Sequence, residues 1–267
     1  MPGNDSYTVT LLHLNTDFID SAAGGSGHIW TAYGLGPARI VSGVKVFGAG
    51  SCLFNSDHDE YSDNVDEIET PYSSDYDFGT GDWTIDWWAR WSTFMMGNGA
   101  WVTPWSWGRT IDTDWMLFGA ETGGPHAFNF RVIKLGSDQA YYVWHYSLSL
   151  ATWYHLELSR NGSDMYFFIN GQAQTADVGV PIGTKNITLG LQHPFRISRM
   201  GTYANPAYHF QGWVDEFRVS KGICRHTSNF TPPTDEYNGV GPFGPTMAEL
   251  MRQEKWFHGG VFKGYNI

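Results

Sequence analysis

Apolar and polar residues alternate along most of this chain. The clearest run is Trp83-Thr84-Ile85-Asp86-Trp87-Trp88-Ala89-Arg90-Trp91, where Trp83, Ile85, Trp87, Ala89 and Trp91 share one face and Asp86, Trp88 and Arg90 the other. An extended chain sends successive side chains to opposite faces, so this run predicts a strand whose first set is core. Similar patterns predict strands at 8–14, 45–54, 100–107, 115–120, 127–133, 140–147, 152–159, 165–169, 187–191, 195–200 and 213–219. Turn signals separate them: Asn98-Gly99, Gly123-Gly124-Pro125, Asn161-Gly162, Asn170-Gly171 and Gly183-Thr184. Asn-Gly favours type I′ turns because both residues accept positive φ. Many short strands between regular turns predict an all-β, two-sheet antiparallel sandwich.

Two stretches lack this rhythm. Residues 17–39 are rich in Gly and Ser and read as loop. The run 57–66 carries Asp57, Asp59, Glu60, Asp63 and Asp66 with no apolar face, which predicts a solvated loop, a loose cation site being the alternative.

The last predicted strand is Trp213-Val214-Asp215-Glu216-Phe217-Arg218-Val219. Strict alternation puts Val214, Glu216 and Arg218 on one face and Trp213, Asp215, Phe217 and Val219 on the other. An acid pair in such a strand asks for a partner or a metal, since a buried carboxylate is costly without one.

Beyond it the pattern changes. Residues 238–245 (NGVGPFGP) form a Gly/Pro linker. Thr246 and Glu249 then make a capping box, with Met247, Leu250 and Met251 on one face of a short helix that Gly259-Gly260 ends. With Trp256 and Phe257, residues 238–267 read as an assembly arm that docks on its own sandwich or on a neighbouring subunit, because so short a helix is marginal alone.

Composition narrows the partners. A net charge of −11 opposes a phosphate-binding footprint and an anionic membrane surface. No apolar run approaches the ~20 residues of a membrane helix, and no signal peptide is visible at the N-terminus. Cys52 and Cys224 are too few for a disulfide framework and read as free thiols, pairing being the alternative.

Four blocks carry a family resemblance: Leu11-Leu12-His13-Leu14-Asn15-Thr16-Asp17; Asp82 to Trp91; Trp153-Tyr154-His155 through Asn161-Gly162 to Asn170-Gly171; and Gly212 to Pro233 (GWVDEFRVSKGICRHTSNFTPP). They resemble, in family order, the laminin-G-like, concanavalin A-like jelly-roll domains, and imply such a sandwich over 6–237. The run SKGICRHTSNFTPP resembles the version common in bacteriophage tail, fibre and other virion proteins. The resemblance also implies a structural Ca²⁺ tying the opening loop to the last strand, through Asp17 or Asp20 and Asp215. The alternative is an Asp215 paired with Arg218 or Arg196.

Laminarinase-type enzymes share this scaffold and place three acids on one face of a strand. The nearest run, Glu67-Ile68-Glu69-Thr70-Pro71-Tyr72, lacks the third acid, and Pro71 disfavours a central strand. Asp215 and Glu216 point to opposite faces on strict alternation. No phosphate loop, HExxH or CxxC is present, and no catalytic residues are assigned. Aromatic runs offer a glycan or subunit surface instead: Trp101, Trp105 and Trp107, and Tyr142, Trp144 and Tyr146, whose neighbours Tyr141, Val143 and His145 take the other face. The combined expectation is a non-enzymatic virion component, homo-oligomeric, contacting other virion subunits and a host-surface glycan, with neither nucleic acid nor membrane insertion. The alternatives are a secreted or cell-surface carbohydrate-binding module and, last, a glycoside hydrolase.

Overall fold

The computed structural model describes residues 3–34, 37–55, 66–94, 102–108, 113–121, 127–190, 192–199 and 209–237. Their strands are β1 (Thr8–Leu12), β2 (Thr31–Tyr33), β3 (Arg39–Val41), β4 (Ser51–Phe54), β5 (Glu67–Thr70), β6 (Trp83–Trp91), β7 (Val102–Gly108), β8 (Trp115–Glu121), β9 (Ala127–Lys134), β10 (Ser137–His145), β11 (Trp153–Asn161), β12 (Asp164–Ile169), β13 (Gln172–Ala173), β14 (Asp177–Val180), β15 (Phe195–Ile197) and β16 (Gly212–Lys221). They form two antiparallel sheets of eight strands. The first runs β13-β12-β11-β6-β16-β4-β3, with β1 also paired to β16; the second runs β14-β10-β9-β8-β7-β15-β5-β2.

The rings meet between the sheets. Trp83, Ile85, Trp87, Ala89 and Trp91 are all 0% exposed, as the alternation of β6 predicts. Trp87 stands edge-on to Trp105 and Phe118 across the gap, and Trp105 stacks on Phe118 and Phe195. The hairpin signal also holds: Asn170 and Gly171 both adopt positive φ, 50° and 72°, in the turn joining β12 to β13.

Three expectations fail locally. Residues 187–190 form no strand; Ile187 and Leu189 point into the core, but the backbone bonds to Gly79 and to the Asp114 side chain instead of a ladder. Glu67–Thr70 is a strand, between β15 and the short β2, where Pro71 just past its end costs no ladder bond. The third concerns β16. Asp215 opposes Trp88 and Arg218 opposes Asp86, so Glu216 and Phe217 together face Trp87. This is a β-bulge, with Glu216 at φ 48°. The extra residue resets the parity: Val214, Phe217 and Val219 enter the core, while Asp215, Glu216 and Arg218 turn to the outer side.

The start of β16 is equally constrained. Gly212 has φ 144°, and a Cβ there would lie 2.1 Å from the Arg90 carbonyl oxygen. Gly212→Ala is therefore expected to cost about 1–3 kcal/mol or more, read as a lower urea midpoint; an unchanged midpoint would contradict the close approach.

Both cysteines are free, Cys52 buried and Cys224 half-buried. Trp101, the acidic residues Asp57 to Asp63 and the arm with Met247, Leu250, Met251, Trp256 and Phe257 lie outside the described residues.

Candidate functional site

Three places gather polar chemistry. The first lies on the outer face of the first sheet, where residues 222–237 run back across β16, β6 and β11 as a strap. Arg218 donates two hydrogen bonds to Asp86, at 2.8 and 2.9 Å. Tyr237 donates its hydroxyl to the same carboxylate, and His155 Nε2 lies 3.5 Å from it. Glu157, register partner of Asp86, accepts from Ser159 and meets His226 Nδ1 at 2.8 Å. Arg225 reaches Asp5, Thr8 and Ser220. Burial alone would raise the Asp86 carboxyl, but the Arg218 guanidinium and His155 hold it well below the usual carboxylate range. A cavity of about 630 Å³ remains under the strap, lined among others by His155, Glu157, Arg218, His226 and Phe230. Its acids are matched by cations, so this network fastens the strap down.

The second place is the bulge. Asp215 accepts hydrogen bonds from the backbone amides of Val46 (2.8 Å) and Phe47 (3.2 Å) through Oδ2. Its Oδ1 is buried without a partner. Burial pushes the Asp215 carboxyl up to about 7, against the amides of Val46, Phe47 and Glu216 and with the charge of Glu216 adding to the rise. The predicted partners do not apply, since Arg218 pairs with Asp86 and Arg196 with Glu69 and Glu67. Glu216 instead meets His13 Nδ1 at 2.6 Å and accepts from the Tyr237 amide at 3.0 Å. Glu236, steered by a hydrogen bond from Asn15, completes a group with His13 and Glu216 whose ligand atoms all lie within 4.8 Å of one another. Burial works against the His13 imidazolium, but the Glu216 carboxylate outweighs it and raises the His13 pKa.

Two of the calcium ligands that the resemblance implies make other contacts. Asp20 spends Oδ1 on the amides of Leu11 and Ala22, and Oδ2 on His28. Asp17 is exposed and caps the amide of Ile19. Among the described residues the group that does converge is His13, Glu216 and Glu236, not Asp17, Asp20 and Asp215. Calcium takes oxygen ligands, and the imidazole here is the wrong donor for it.

The third place is the outer face of the second sheet. Here the expected aromatic surface is corrected. Trp105 and Trp107 are 0% exposed, Trp144 1% and Tyr142 5%: all are core. Tyr146 is half-buried, stacked on Phe128 at 4.3 Å beside a shallow groove with His145 and Leu148. Two parities were available in each run, and burial favours the one that carries more ring area. The opposite parity faces away from the core; Ser106, Leu117 and Asn129 on it are nevertheless buried, while Trp115, Arg131 and Tyr141 are half-exposed. Strand register lines up Glu69, Arg196, Ser106, Leu117, Arg131 and Tyr141 in one row across β5, β15, β7, β8, β9 and β10. In that row the half-exposed Arg131 is clamped by Asp138 at 2.7 and 3.0 Å and lies 5.6 Å from the Trp115 ring and 5.5 Å from that of Tyr141.

The next row holds Gly119 and Asn129, with Thr103 beside them on β7. A Cβ on Gly119 would come 3.4 Å from Thr103 Oγ1, an ordinary contact distance. Thr103 and Asn129 are 0% exposed, yet Thr103 Oγ1 and both amide atoms of Asn129 have no hydrogen-bond partner. Each such atom costs roughly 1–3 kcal/mol unless something pairs with it. At the end of the face, Glu69 accepts from Arg196 at 2.9 Å, and Glu67 meets Arg199 at 3.3 Å. The 3.4 Å approach of Arg196 Nε to Glu67 is electrostatic, without hydrogen-bond geometry. Burial raises the Glu67 carboxyl, against Arg199 and Arg196. Nothing in a lone Asn or Thr of an alternating strand signals this patch; the Asn129 row becomes visible only when register is known.

Residues 62–225 match a family model described as the concanavalin A-like lectin/glucanases superfamily, Laminin_G_3. No curated protein matches the chain. Among solved structures, domain 4 of AbnA, an extracellular arabinanase of Geobacillus stearothermophilus in complex with arabinotriose, is similar at 13% identity and a TM-score of 0.55, over 80% of this chain and 92% of that one. The binding domain of Paraclostridial Mosquitocidal Protein 1 is similar at 14% identity and TM-score 0.53, over 82% of this chain and 50% of its own. A botulinum neurotoxin DC binding domain in complex with SialylT gives 13% identity and TM-score 0.55, over 82% and 49%. This chain thus spans about half the length of those two toxin domains. At such identities the likeness is one of fold.

Proposed function

The chain belongs to the concanavalin A-like lectin/glucanase superfamily, and on that footing we propose that it is a non-enzymatic, lectin-like component of a virion, a tail, fibre or capsid-surface protein. Its second sheet would turn its outer face to a host glycan. The observation that carries the reading is the half-exposed group on that face in which the Arg131 guanidinium lies 5.6 Å from the Trp115 ring and 5.5 Å from that of Tyr141, with Asp138 holding it. A sugar hydroxyl both donates and accepts, so it answers a guanidinium and a carboxylate together, and a pyranose ring lays its C–H face on the face of an aromatic ring. The solved relatives lend support: one is in complex with arabinotriose and another with SialylT. The virion assignment is supported by residues 220–233, whose SKGICRHTSNFTPP run resembles phage virion proteins.

What favours binding over hydrolysis is the state of Glu67 and Glu69. Both are engaged by arginines at the end of the face, whereas hydrolysis needs one free acid and one free base across the sugar.

A glycan array followed by titration tests this. The wild-type chain is expected to bind a restricted set of glycans, and Arg131→Ala and Tyr141→Ala to weaken that binding about tenfold or more while melting within a few degrees of wild type. Binding unchanged in both variants would remove the outer face of the second sheet from the reading; release of reducing sugar by the wild type would replace the reading with an enzyme.

A further inference from the structure

We infer that His13, Glu216 and Glu236 form a binding site for a divalent transition-metal ion of the zinc type, which pins the strap to the two terminal strands of the sandwich. The site is distinct from the glycan face and does not rest on it.

The three ligands come from remote parts of the chain: His13 just past β1, Glu216 from the bulge of β16, Glu236 from the strap. Their donor atoms lie within 4.8 Å of one another. One imidazole nitrogen with two carboxylate oxygens is a set that zinc accepts, with a fourth position left for water. Tetrahedral coordination at about 2.0–2.2 Å puts donors roughly 3.3–3.6 Å apart, so the longer separations need to close by about an ångström while the 2.6 Å pair of His13 and Glu216 opens once its shared proton leaves. Glu236, half-buried on the strap, is the member placed to make that movement.

Two independent features point to a cation. Beside the group, Asp215 faces the same outer side of the bulge and leaves Oδ1 buried and unpartnered. Three carboxylates, Asp215, Glu216 and Glu236, therefore crowd a seam in which His13 is the one basic side chain paired with them. The ligands are also held from behind: the Tyr237 amide donates to the second oxygen of Glu216 and Asn15 donates to Glu236. Such outer contacts orient ligands and are a usual part of metal sites. At present a proton bridges His13 Nδ1 and Glu216 at 2.6 Å; metal uptake would displace it.

The experiment is a titration of the full chain, freed of metal with chelator, with zinc, cobalt(II) and calcium salts, followed by calorimetry, melting and cobalt absorption. The expected result is one saturable zinc per chain, a higher melting temperature with zinc and a lower one with chelator, a cobalt spectrum of four-coordinate intensity, and no response to calcium. Glu236→Gln, isosteric and on the strap, is expected to lower zinc affinity at least tenfold while keeping the apo melting temperature; His13→Asn is expected to do the same. Failure of wild type to bind zinc, or stoichiometric zinc binding that survives Glu236→Gln, overturns the site. If His13→Asn does not fold, Glu236→Gln decides alone. Loss of glycan binding in Tyr141→Ala with zinc binding intact separates this site from the glycan face.

Discussion

Asp86→Ala is expected to lower stability by about 3–5 kcal/mol, a fall in melting temperature of roughly 6–20 °C for a chain of this size. The Asp86 carboxylate is fully buried and takes two hydrogen bonds from Arg218 and one from Tyr237. Truncation leaves the Arg218 guanidinium, itself 4% exposed, without its counter-charge, and leaves the Tyr237 hydroxyl with His155 Nε2, at 3.0 Å, as its side-chain partner. The strap, fastened at Tyr237, should loosen with it, so proteolysis near residues 222–237 should quicken. The same pair sets the acid limit. Because the folded carboxyl is held below its ordinary value of 3.8, its contribution is complete above about pH 4 and drains away as pH falls below that. Wild-type stability should therefore drop on the acid side of pH 4, and the drop should be smaller in Asp86→Ala. Equal acid sensitivity in both proteins, or a melting temperature within a degree of wild type, would contradict this account.

Trp105→Ala is expected to cost a similar amount, about 3–5 kcal/mol, read as a shifted denaturation midpoint. The indole is fully buried, stacked on Phe118 and Phe195 and edge-on to Trp87, so its loss opens a cavity at the meeting point of the two sheets. The outcome also separates two roles for one residue. A ring on a sugar-binding surface would lose affinity at little cost in stability; a core ring does the opposite. An unchanged midpoint with lost glycan binding would return Trp105 to the surface expected from its sequence.

Much of the fold was legible because alternation is a local property. The Trp83–Trp91 run needs only its own nine residues to be read as a strand with a buried face, and Asn170-Gly171 needs only itself to announce a turn. What escaped depends on the neighbours. Tyr142 and Tyr141 are equally aromatic, and which of them faces inward is decided by the partner sheet. Ile187 and Leu189 alternate like a strand, yet the backbone there bonds to the Gly79 carbonyl and the Asp114 side chain. The bulges were hidden for the same reason: in β16 and again between Val102 and Trp105 one strand carries more residues than its partner, and a count along one chain cannot show that. The metal candidates were split by the same effect. Asp215 stands out in the sequence as an acid inside an alternating strand, but His13 and Glu216 meet across 203 positions and only because the bulge turns Glu216 outward.

That extra residue has a consequence for how the molecule can change. With Glu216 spliced out, Val214, Asp215, Phe217 and Arg218 would follow one another in flawless alternation, each on the side it already occupies. The carboxylate is thus an insertion laid over a complete strand, so the chemistry at this seam could be gained or lost in a lineage by a single codon, with the interior left as it was.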